Sequence, residues 1–454
     1  MTIAIYCVLP LLVLCLFGLA YACRQRWQAH AQRARISATV QRLLKPRTPH
    51  DCPACRSAAG RLPPVAHASA PIRPWREVKS RRGAPKRIPT DGFACPTRTC
   101  TYYQVTDAQI HALVGDGTHG THERIQTFRC QACKTTFSAR RDTPLYRFKT
   151  PTQRVGEGLT ALAEGLDIAA AERVFGHRHA TIMNWLTRAG ERSAMLHDRF
   201  FYSLHLPHLQ LDELRTRLRR RAHVVWLWVA IDPISKLIPV LYLGARTQAS
   251  AYAVVHTLQQ RLAPDCLPIF TSDGLNLYFY ALTAHFGQWT ARVGQRMCQW
   301  QVAADLTYGQ VKKRYQRRRL VGVTPVLRCG TPQQLRRARI RLGLSGRLNT
   351  AFIERVNLTI RQSVAALMRR TWSTAQEAPQ LLLHLEWWRA YYHFVRLHAA
   401  LRVPLAQPRE RGGRRLPQRY RQRTPAMAAG LTRRRWTVQA MLTLPLPLQT
   451  IRVL

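Results

Sequence analysis

The order of apolar segments in the middle of the chain is the feature that most constrains its fold. Residues 209–214 have the alternation of a strand, and residues 222–231 and 237–243 are apolar runs on either side of an Asp-Pro turn. Residues 249–262 have helical spacing, and residues 266–271 form a short apolar run typical of a buried strand. Three strands, a helix and a fourth strand predict an α/β domain with a mixed sheet.

This order is that of a ribonuclease-H-like sheet, in which the first and fourth strands lie side by side. The first predicted strand carries Asp212, and the fourth ends in Ser272-Asp273-Gly274. We therefore expect the carboxylates of Asp212 and Asp273 to be neighbours.

A third acidic residue lies in a helical segment, residues 349–361. Glu354, Asn357 and Arg361 fall on one helix face at i, i+3 and i+7. A carboxylate, an amide and a guanidinium are unsuited to a hydrophobic core, but they are suited to a site that binds metal ions and phosphate. Carboxylate oxygens are the ligands that Mg²⁺ or Mn²⁺ prefers. Two such ions about 4 Å apart can activate an attacking oxygen and stabilise a leaving oxygen at a phosphodiester.

Two neighbouring acids are alternatives for this set. Glu213 is adjacent to Asp212, and adjacent strand residues point to opposite faces, so only one of them is expected to reach the metals. Asp232 is a further alternative, although its Asp-Pro context is typical of a residue that starts a turn.

Four cysteines form two close pairs, Cys95-x4-Cys100 and Cys130-x2-Cys133. Two short loops that each donate two thiolates can complete a closed tetrahedral site, which predicts a structural Zn²⁺ and a zinc ribbon. Another pair, Cys52-x2-Cys55, could replace one of these pairs or stay free of metal.

The charge balance identifies the class of partner. Lys and Arg total 70 against 23 Asp and Glu, which gives a formal net charge of +47. A charge of this size requires a polyanionic partner, and double-stranded DNA is the first candidate.

A helix-turn-helix is predicted in residues 166–188, where two short helical patterns are interrupted by Gly176. The start of the second helix is the part that contacts base edges in such motifs. We expect Asn184 and Arg188 on its exposed side. The candidate DNA-binding residues are His177, Arg178, His179, Thr181, Asn184 and Arg188.

The first 92 residues contain an apolar run and a linker. Residues 3–22 carry no charge and, at about 1.5 Å per residue, could cross a bilayer as a helix. The basic residues after the run would keep the remaining chain in the cytoplasm, with the nucleoid. A single-pass membrane anchor, a cleaved signal peptide, and an over-extended start codon or fused fragment are alternative interpretations. In the linker, residues 81–87 resemble an AT-hook, with a plain basic linker as the alternative.

The acidic segments resemble those of a known family. Residues 211–213, 271–274 and 353–361 are similar to the three acidic blocks of DDE transposases of bacterial insertion sequences, in particular the type with an N-terminal zinc ribbon and helix-turn-helix. The similarity runs from about residue 92 to residue 401, and residues 391–398 resemble the segment that closes such catalytic domains.

The resemblance implies water-dependent strand cleavage at the ends of an element, followed by attack of the freed 3′-OH on target DNA. It assigns catalysis and magnesium binding to Asp212, Asp273 and Glu354, with Asn357 and Arg361 in support, and implies a homo-oligomer on DNA. A DNA-binding regulator derived from a transposase and a membrane-tethered DNA anchor are competing hypotheses.

The predicted organisation has six parts in chain order. These are an apolar and basic helical segment (1–44), a linker rich in Pro, Ala and Arg (45–92), a zinc ribbon (93–149), a helix-turn-helix (150–203), a ribonuclease-H-like catalytic domain (204–401) and a basic tail, extended towards DNA or disordered (402–454).

Overall fold

The computed structural model describes the chain from residue 72 to residue 444 with short gaps. The described ranges are 72–78, 88–219, 224–291, 298–317, 319–343, 348–369, 371–410 and 417–444. The predicted apolar helix at residues 3–22, the pair Cys52 and Cys55, and the AT-hook-like segment at residues 81–87 lie outside them. Within these ranges, no helix has the length and apolar character needed to cross a membrane.

The described part of the chain contains both helices and strands. The helices are α1 (Trp75–Val78), α2 (Thr152–Ala163), α3 (Ile168–Phe175), α4 (His179–Phe200), α5 (Gln248–Arg261), α6 (Leu277–His285), α7 (Pro332–Arg341), α8 (Ala351–Ser363), α9 (Ala378–Phe394), α10 (Pro425–Ala428) and α11 (Val438–Thr443). The strands are β1 (Leu113–His119), β2 (Ile125–Cys130), β3 (Thr136–Ser138), β4 (His208–Arg217), β5 (Val224–Ile231), β6 (Val240–Gly244), β7 (Ile269–Asp273), β8 (Gly287–Ala291), β9 (Cys298–Val302), β10 (Thr307–Gln316), β11 (Arg319–Cys329), β12 (His398–Arg409) and β13 (Gln418–Arg423).

A mixed sheet with the strand order β11-β10-β7-β4-β5-β6 forms the centre of the α/β domain. Strands β4, β5 and β6 are an antiparallel meander, as the apolar runs predict. Strand β7 lies between β4 and β10 and is parallel to both. The predicted adjacency of the first and fourth strands is therefore confirmed.

Helices pack on both faces of the middle of this sheet, because both faces of β4 and β5 carry apolar side chains. On one face, Leu209 and Leu211 of β4 pack with Trp228 of β5 in a core shared with α5 and α6. On the other face, Leu214 belongs to a core that includes Ile353 of α8, Trp388 of α9 and other apolar side chains. Helix α8 is thereby held against the strand that carries Asp212.

A helical unit precedes the sheet. Asp167 caps α3 by accepting the N–H of Ala170 at 2.7 Å, and Gly176 ends α3 in the left-handed conformation (φ 69°), a turn that suits glycine. Helix α4 then extends over 22 residues. Trp185 of α4 packs with Trp387 of α9 in a common core, so α9 joins the helical unit to the sheet.

The described chain after residue 402 contains both extended strands and short helices. Strands β12 and β13 pair as an antiparallel ribbon, and α11 buries Val438, Met441 and Leu442 in the core of the helical unit. These three residues have i, i+3, i+4 spacing, so they provide an apolar face despite the surrounding arginines. The predicted extended chain thus corresponds to β12 and β13, whereas the helices α10 and α11 were not part of that prediction.

Candidate metal centres and nucleic-acid interface

The ends of two parallel strands bring Asp212 and Asp273 together. The pairing of β4 with β7 continues up to Leu211 opposite Ser272, and the two aspartates are the next residues on their strands. One carboxylate oxygen from each of Asp212, Glu213 and Asp273 lies within 4.8 Å of the others. The predicted proximity of the two aspartates is therefore confirmed, and a third carboxylate joins them.

We expected only one of Asp212 and Glu213 to reach the metals, whereas in the structure both carboxylates belong to this group. Their side chains do leave opposite faces of β4, since Asp212 contacts α8 and Glu213 contacts the side of α6. However, both residues lie at the point where pairing with β7 ends, so both carboxylates can approach the strand end around the backbone. A glutamate side chain is long enough to close the remaining distance.

Asp212 occupies a half-buried and electronegative environment. Its Oδ2 accepts a hydrogen bond from Nδ2 of Asn357 at 2.8 Å, and its Oδ1 accepts the backbone N–H of Glu213 at 2.8 Å. Burial, followed by the charges of Glu213 and Asp273, raises the pKa of Asp212 to about 7. No cation among the described residues pairs with Asp212 or Asp273, so negative charge at this strand end is only partly balanced.

Glu213 has partners that Asp212 lacks. Its Oε1 accepts from Nε of Arg246 at 2.8 Å, and its Oε2 accepts from the hydroxyl of Tyr278 at 3.3 Å. Burial and the charge of Asp273 raise the pKa of Glu213, and the bonds from Arg246 oppose this shift. Sequence reasoning considered Glu213 but had no signal for Arg246 or Tyr278, which contact it from distant segments.

Glu354 lies in the first turn of α8, one helical turn before Asn357, but outside the 4.8 Å group. Its Oε1 accepts hydrogen bonds from Lys313 of β10 and from Oγ1 of Thr350, the latter at 2.7 Å. Burial acts to raise the pKa of Glu354, but the bonds from Lys313 and Thr350 outweigh it and lower that pKa. The charge of Glu354 also contributes to the raised pKa of Asp212. Lys313 was missed in the sequence, where only its position in a Lys-Lys pair among many arginines distinguishes it.

Gln210 fixes α8 onto β4. Its Nε2 donates to the carbonyl oxygen of Asn349 at 2.9 Å, and its Oε1 accepts the N–H of Ile353 at 3.0 Å. The side chain is buried and lies on the strand face of Asp212, two residues away.

Arg361 does not contact the acidic residues of the site. It donates to the carbonyl oxygens of Arg215 and Leu367, each at 3.2 Å, and so ties the end of α8 to β4.

We expect Gln210→Leu to lower the free energy of unfolding by about 1–3 kcal/mol, because it leaves the buried N–H of Ile353 without its partner. Urea unfolding followed by tryptophan fluorescence measures the change. Gln422→Ala, at an exposed position of β13, is the matched control and should change stability by less than about 0.5 kcal/mol. Equal stability of the two variants would show that Gln210 does not anchor α8.

Asp232 is a turn residue and not a member of the site. Its Oδ1 accepts the N–H of Ile234 at 3.2 Å, and its Oδ2 accepts the N–H and Oγ of Ser235 at 2.8 and 2.6 Å. Both carboxylate oxygens are thus used within the turn, as the Asp-Pro context predicts.

The chemistry of the acidic site fits a divalent cation. Oxygen ligands about 2.1 Å from Mg²⁺ lie up to about 4.2 Å apart. The carboxylate oxygens of Asp212, Glu213 and Asp273 all lie within 4.8 Å of one another, a comparable distance. In addition, Oδ1 of Asn357 is buried with no hydrogen-bond partner among the described residues. A cation or its bound water would satisfy this oxygen and balance the clustered charge.

The four cysteines of the two predicted pairs converge at one end of the sheet β1-β2-β3. The Sγ atoms of Cys95 and Cys133 are 3.5 Å apart, and those of Cys100 and Cys130 are 3.8 Å apart. A tetrahedral zinc with bonds of about 2.3 Å requires sulfur separations of about 3.8 Å. The cluster therefore fits Zn²⁺, as the spacing predicts, and its four sulfurs would leave no coordination position for water.

The thiols of this cluster have unequal acidities. Burial raises the pKa of Cys95 well above its ordinary range and that of Cys100 to about 11. Burial also acts to raise the pKa of Cys133, but hydrogen bonds with Thr135 outweigh it and lower that pKa to about 6. Zinc is bound by thiolates, so its binding would displace the protons of these thiols.

The helical hairpin α3–α4 exposes part of the predicted DNA-binding set. Arg178 and His179 are exposed at the start of α4, and Thr181 and Asn184 are half-buried on its first turns. His177 is also half-buried, because its ring packs edge-on against Trp185 with centroids 4.8 Å apart.

Arg188 does not lie on the exposed side of α4, so that expectation was wrong. Its Nη1 donates to the carbonyl oxygen of Tyr146 at 2.6 Å, and its guanidinium stacks on Phe148 at 4.6 Å from the ring centroid. The loop that enters α2 covers this position, which helical periodicity alone could not reveal. Arg188 joins the cysteine-containing sheet unit to the helical unit.

A scan of protein-family models and a search of curated proteins find no match to this chain.

Proposed function

We propose that the chain is a DDE-type DNA transposase of an insertion sequence. In this proposal it cleaves DNA at the ends of the element in a metal-dependent reaction and transfers the freed 3′-OH into target DNA. The observation that carries the proposal is the juxtaposition of Asp212 and Asp273 at adjoining ends of two parallel strands, next to the helix that bears Glu354 and Asn357.

The sheet supports a ribonuclease-H-like catalytic domain. An antiparallel meander of three strands, followed by a helix and two strands parallel to the first, is the arrangement expected of that fold. The long hairpin partner β11 extends this sheet at the edge next to β10.

The side chains around the strand end have separable roles in this proposal. Asp212, Asp273 and Glu354 would hold Mg²⁺ or Mn²⁺, which supplies charge stabilisation and an activated oxygen at the scissile phosphate. Asn357 orients the carboxylate of Asp212, and Lys313 holds that of Glu354. The ammonium of Lys313 also places positive charge beside the acids, where a phosphate would bind.

Binding to DNA would depend on other parts of the chain. A net charge of +47 favours a polyanion throughout, and the exposed start of α4 is the candidate for reading the ends of the element. The cysteine cluster would give the preceding sheet a fixed shape by binding zinc. A DNA-binding regulator would share these features but would have no need for the carboxylates at the strand end.

Cleavage of DNA that carries the element's own flanking ends tests the proposal. Supercoiled plasmid with these ends, incubated with the purified chain and Mg²⁺ or Mn²⁺, should acquire nicks with 3′-OH groups at the element boundaries. EDTA should prevent the nicks, and a plasmid without the ends should lack them. Binding to the ends without any metal-dependent cleavage would contradict the enzyme and favour the regulator.

Arg178→Ala should weaken binding to the element ends about tenfold to a hundredfold, because Arg178 is exposed at the start of α4, where base edges are read in such motifs. Cleavage per bound complex should be retained when the chain is in excess. Gel-shift titration measures the affinity, with Arg173→Ala on the exposed part of α3 as the matched control. An equal loss in both variants would indicate general electrostatic binding and contradict a reading role for α4.

A further inference from the structure

Strands β12 and β13 form a two-stranded antiparallel ribbon outside the central sheet, which we name the arginine ribbon. Val403 pairs with Arg421, and Pro404 pairs with Tyr420. From Arg402 to the end of β12, eight extended residues at about 3.3 Å each would span about 26 Å. Residues 411–416, which connect the strands, lie outside the described part of the chain.

The base of the ribbon is fixed in the protein core. Leu401 is 4% exposed, and its carbonyl oxygen accepts a hydrogen bond from Nε of Arg423 at 2.9 Å. Thr424, which follows β13, is fully buried and caps α10 through the N–H of Met427. The direction in which the ribbon leaves the domain is thus set by two buried anchors.

Beyond this base, the ribbon has no core of its own. Arg402, Pro404, Arg419, Tyr420 and Arg421 are all exposed. An isolated two-stranded hairpin in water has marginal stability because neither face is covered. A ribbon of this kind can gain stability by binding a partner of complementary charge.

The charge on the ribbon is of one sign. Its two strands carry arginines and no carboxylate, and these arginines are Arg402, Arg409, Arg419, Arg421 and Arg423. Arg419 and Arg421 are two residues apart on one strand and therefore share a face. Neither makes an ion pair with another described residue. On the other face, the guanidinium of Arg402 stacks on Tyr420, 4.4 Å from the ring centroid.

We propose that the arginine ribbon is a second DNA-binding element, separate from the helical hairpin, which lies along a groove of duplex DNA with Arg419 and Arg421 against the phosphates. The major groove is about 12 Å wide and admits a two-stranded ribbon. Guanidinium groups bind phosphate oxygens in pairs of hydrogen bonds, and contacts with the backbone require no particular base sequence. This inference rests on the proposed function only in taking duplex DNA as the partner.

The double variant Arg419→Ala/Arg421→Ala tests the ribbon without any cleavage step. The probe is a fluorescent duplex of about 30 base pairs, three helical turns, of arbitrary sequence and without divalent metal. Affinity should fall about tenfold near physiological salt, and the slope of log K against log salt should become shallower by about 1.8, the value for two phosphate contacts. Circular dichroism and the thermal midpoint should not change, since both positions are exposed.

Arg336→Ala/Arg337→Ala, at exposed positions of α7, removes the same charge and is the matched control. An equal loss of affinity in both double variants would show that binding follows total charge and would overturn the proposal. Unchanged affinity with new self-association would overturn it too, because the arginines would then serve to protect strand edges. A larger loss for single-stranded DNA or RNA than for the duplex would reassign the ribbon to another partner. If the double variant Arg419→Ala/Arg421→Ala binds the duplex more weakly while the wild-type chain cleaves no DNA, DNA binding by the ribbon is supported and the proposed transposase activity is rejected.

Discussion

Asp273→Asn is expected to abolish strand cleavage, with a loss of at least about 1,000-fold, and to leave DNA binding nearly intact. Asp273 belongs to the carboxylate group at the strand end, whereas phosphate contacts elsewhere supply most of the affinity. Removal of one negative charge beside DNA would, if anything, strengthen binding slightly. A nicking assay and a gel shift on the same preparation separate these two quantities.

Asp305→Asn is the control for this experiment. Asp305 is exposed and lies just before β10. The first residue of β10 pairs with the first residue of β7, whereas Asp273 is the last residue of β7. Asp305 therefore lies at the opposite end of the strands from Asp273. This variant should cleave at the normal rate. Cleavage at the normal rate by Asp273→Asn would reject the enzyme and leave the DNA-binding regulator as the better account.

The same assay resolves which glutamate completes the carboxylate set. If the carboxylate of Glu354 releases Lys313 and binds the metal, Glu354→Gln should lose cleavage as severely as Asp273→Asn. Glu213→Gln should then retain substantial activity, because Glu213 is already paired with Arg246. The reverse result would assign the third position to Glu213, which is the nearer carboxylate in the structure.

Cys130→Ser should remove zinc and unfold the sheet β1-β2-β3, the second large effect that we expect. A structural zinc contributes about 10–16 kcal/mol of binding free energy, far more than the small core around Phe128 can replace. Zinc content per chain should fall from one ion to nearly none, and amide exchange should become fast across β2. Metal analysis and hydrogen exchange measure these changes.

Cys298→Ser is the matched control, because Cys298 is exposed and outside the cluster. It should keep its zinc and its exchange protection. Full zinc content in Cys130→Ser would contradict a four-cysteine site. Loss of zinc without faster exchange would show that the sheet is stable by its own packing and that the metal is not structural.

The sequence by itself determined the features that follow from local periodicity. Strand order predicted that Asp212 and Asp273 would be neighbours, because a crossover helix returns the fourth strand beside the first. Close cysteine pairs predicted the sulfur cluster, since a short loop holds two thiols at a nearly fixed distance. Helical periodicity placed Glu354 and Asn357 on one face of α8, and Asn357 does contact Asp212.

Only the tertiary structure decided which partners these side chains find. Lys313 is 41 residues from Glu354, and Arg246 is 33 residues from Glu213. Helical periodicity predicted that Arg188 would be exposed on the helix surface, whereas the loop before α2 covers it in the folded chain. Periodicity fixes the direction in which a side chain leaves its own element, whereas its partner depends on how separate elements pack, and that packing is a property of the whole chain.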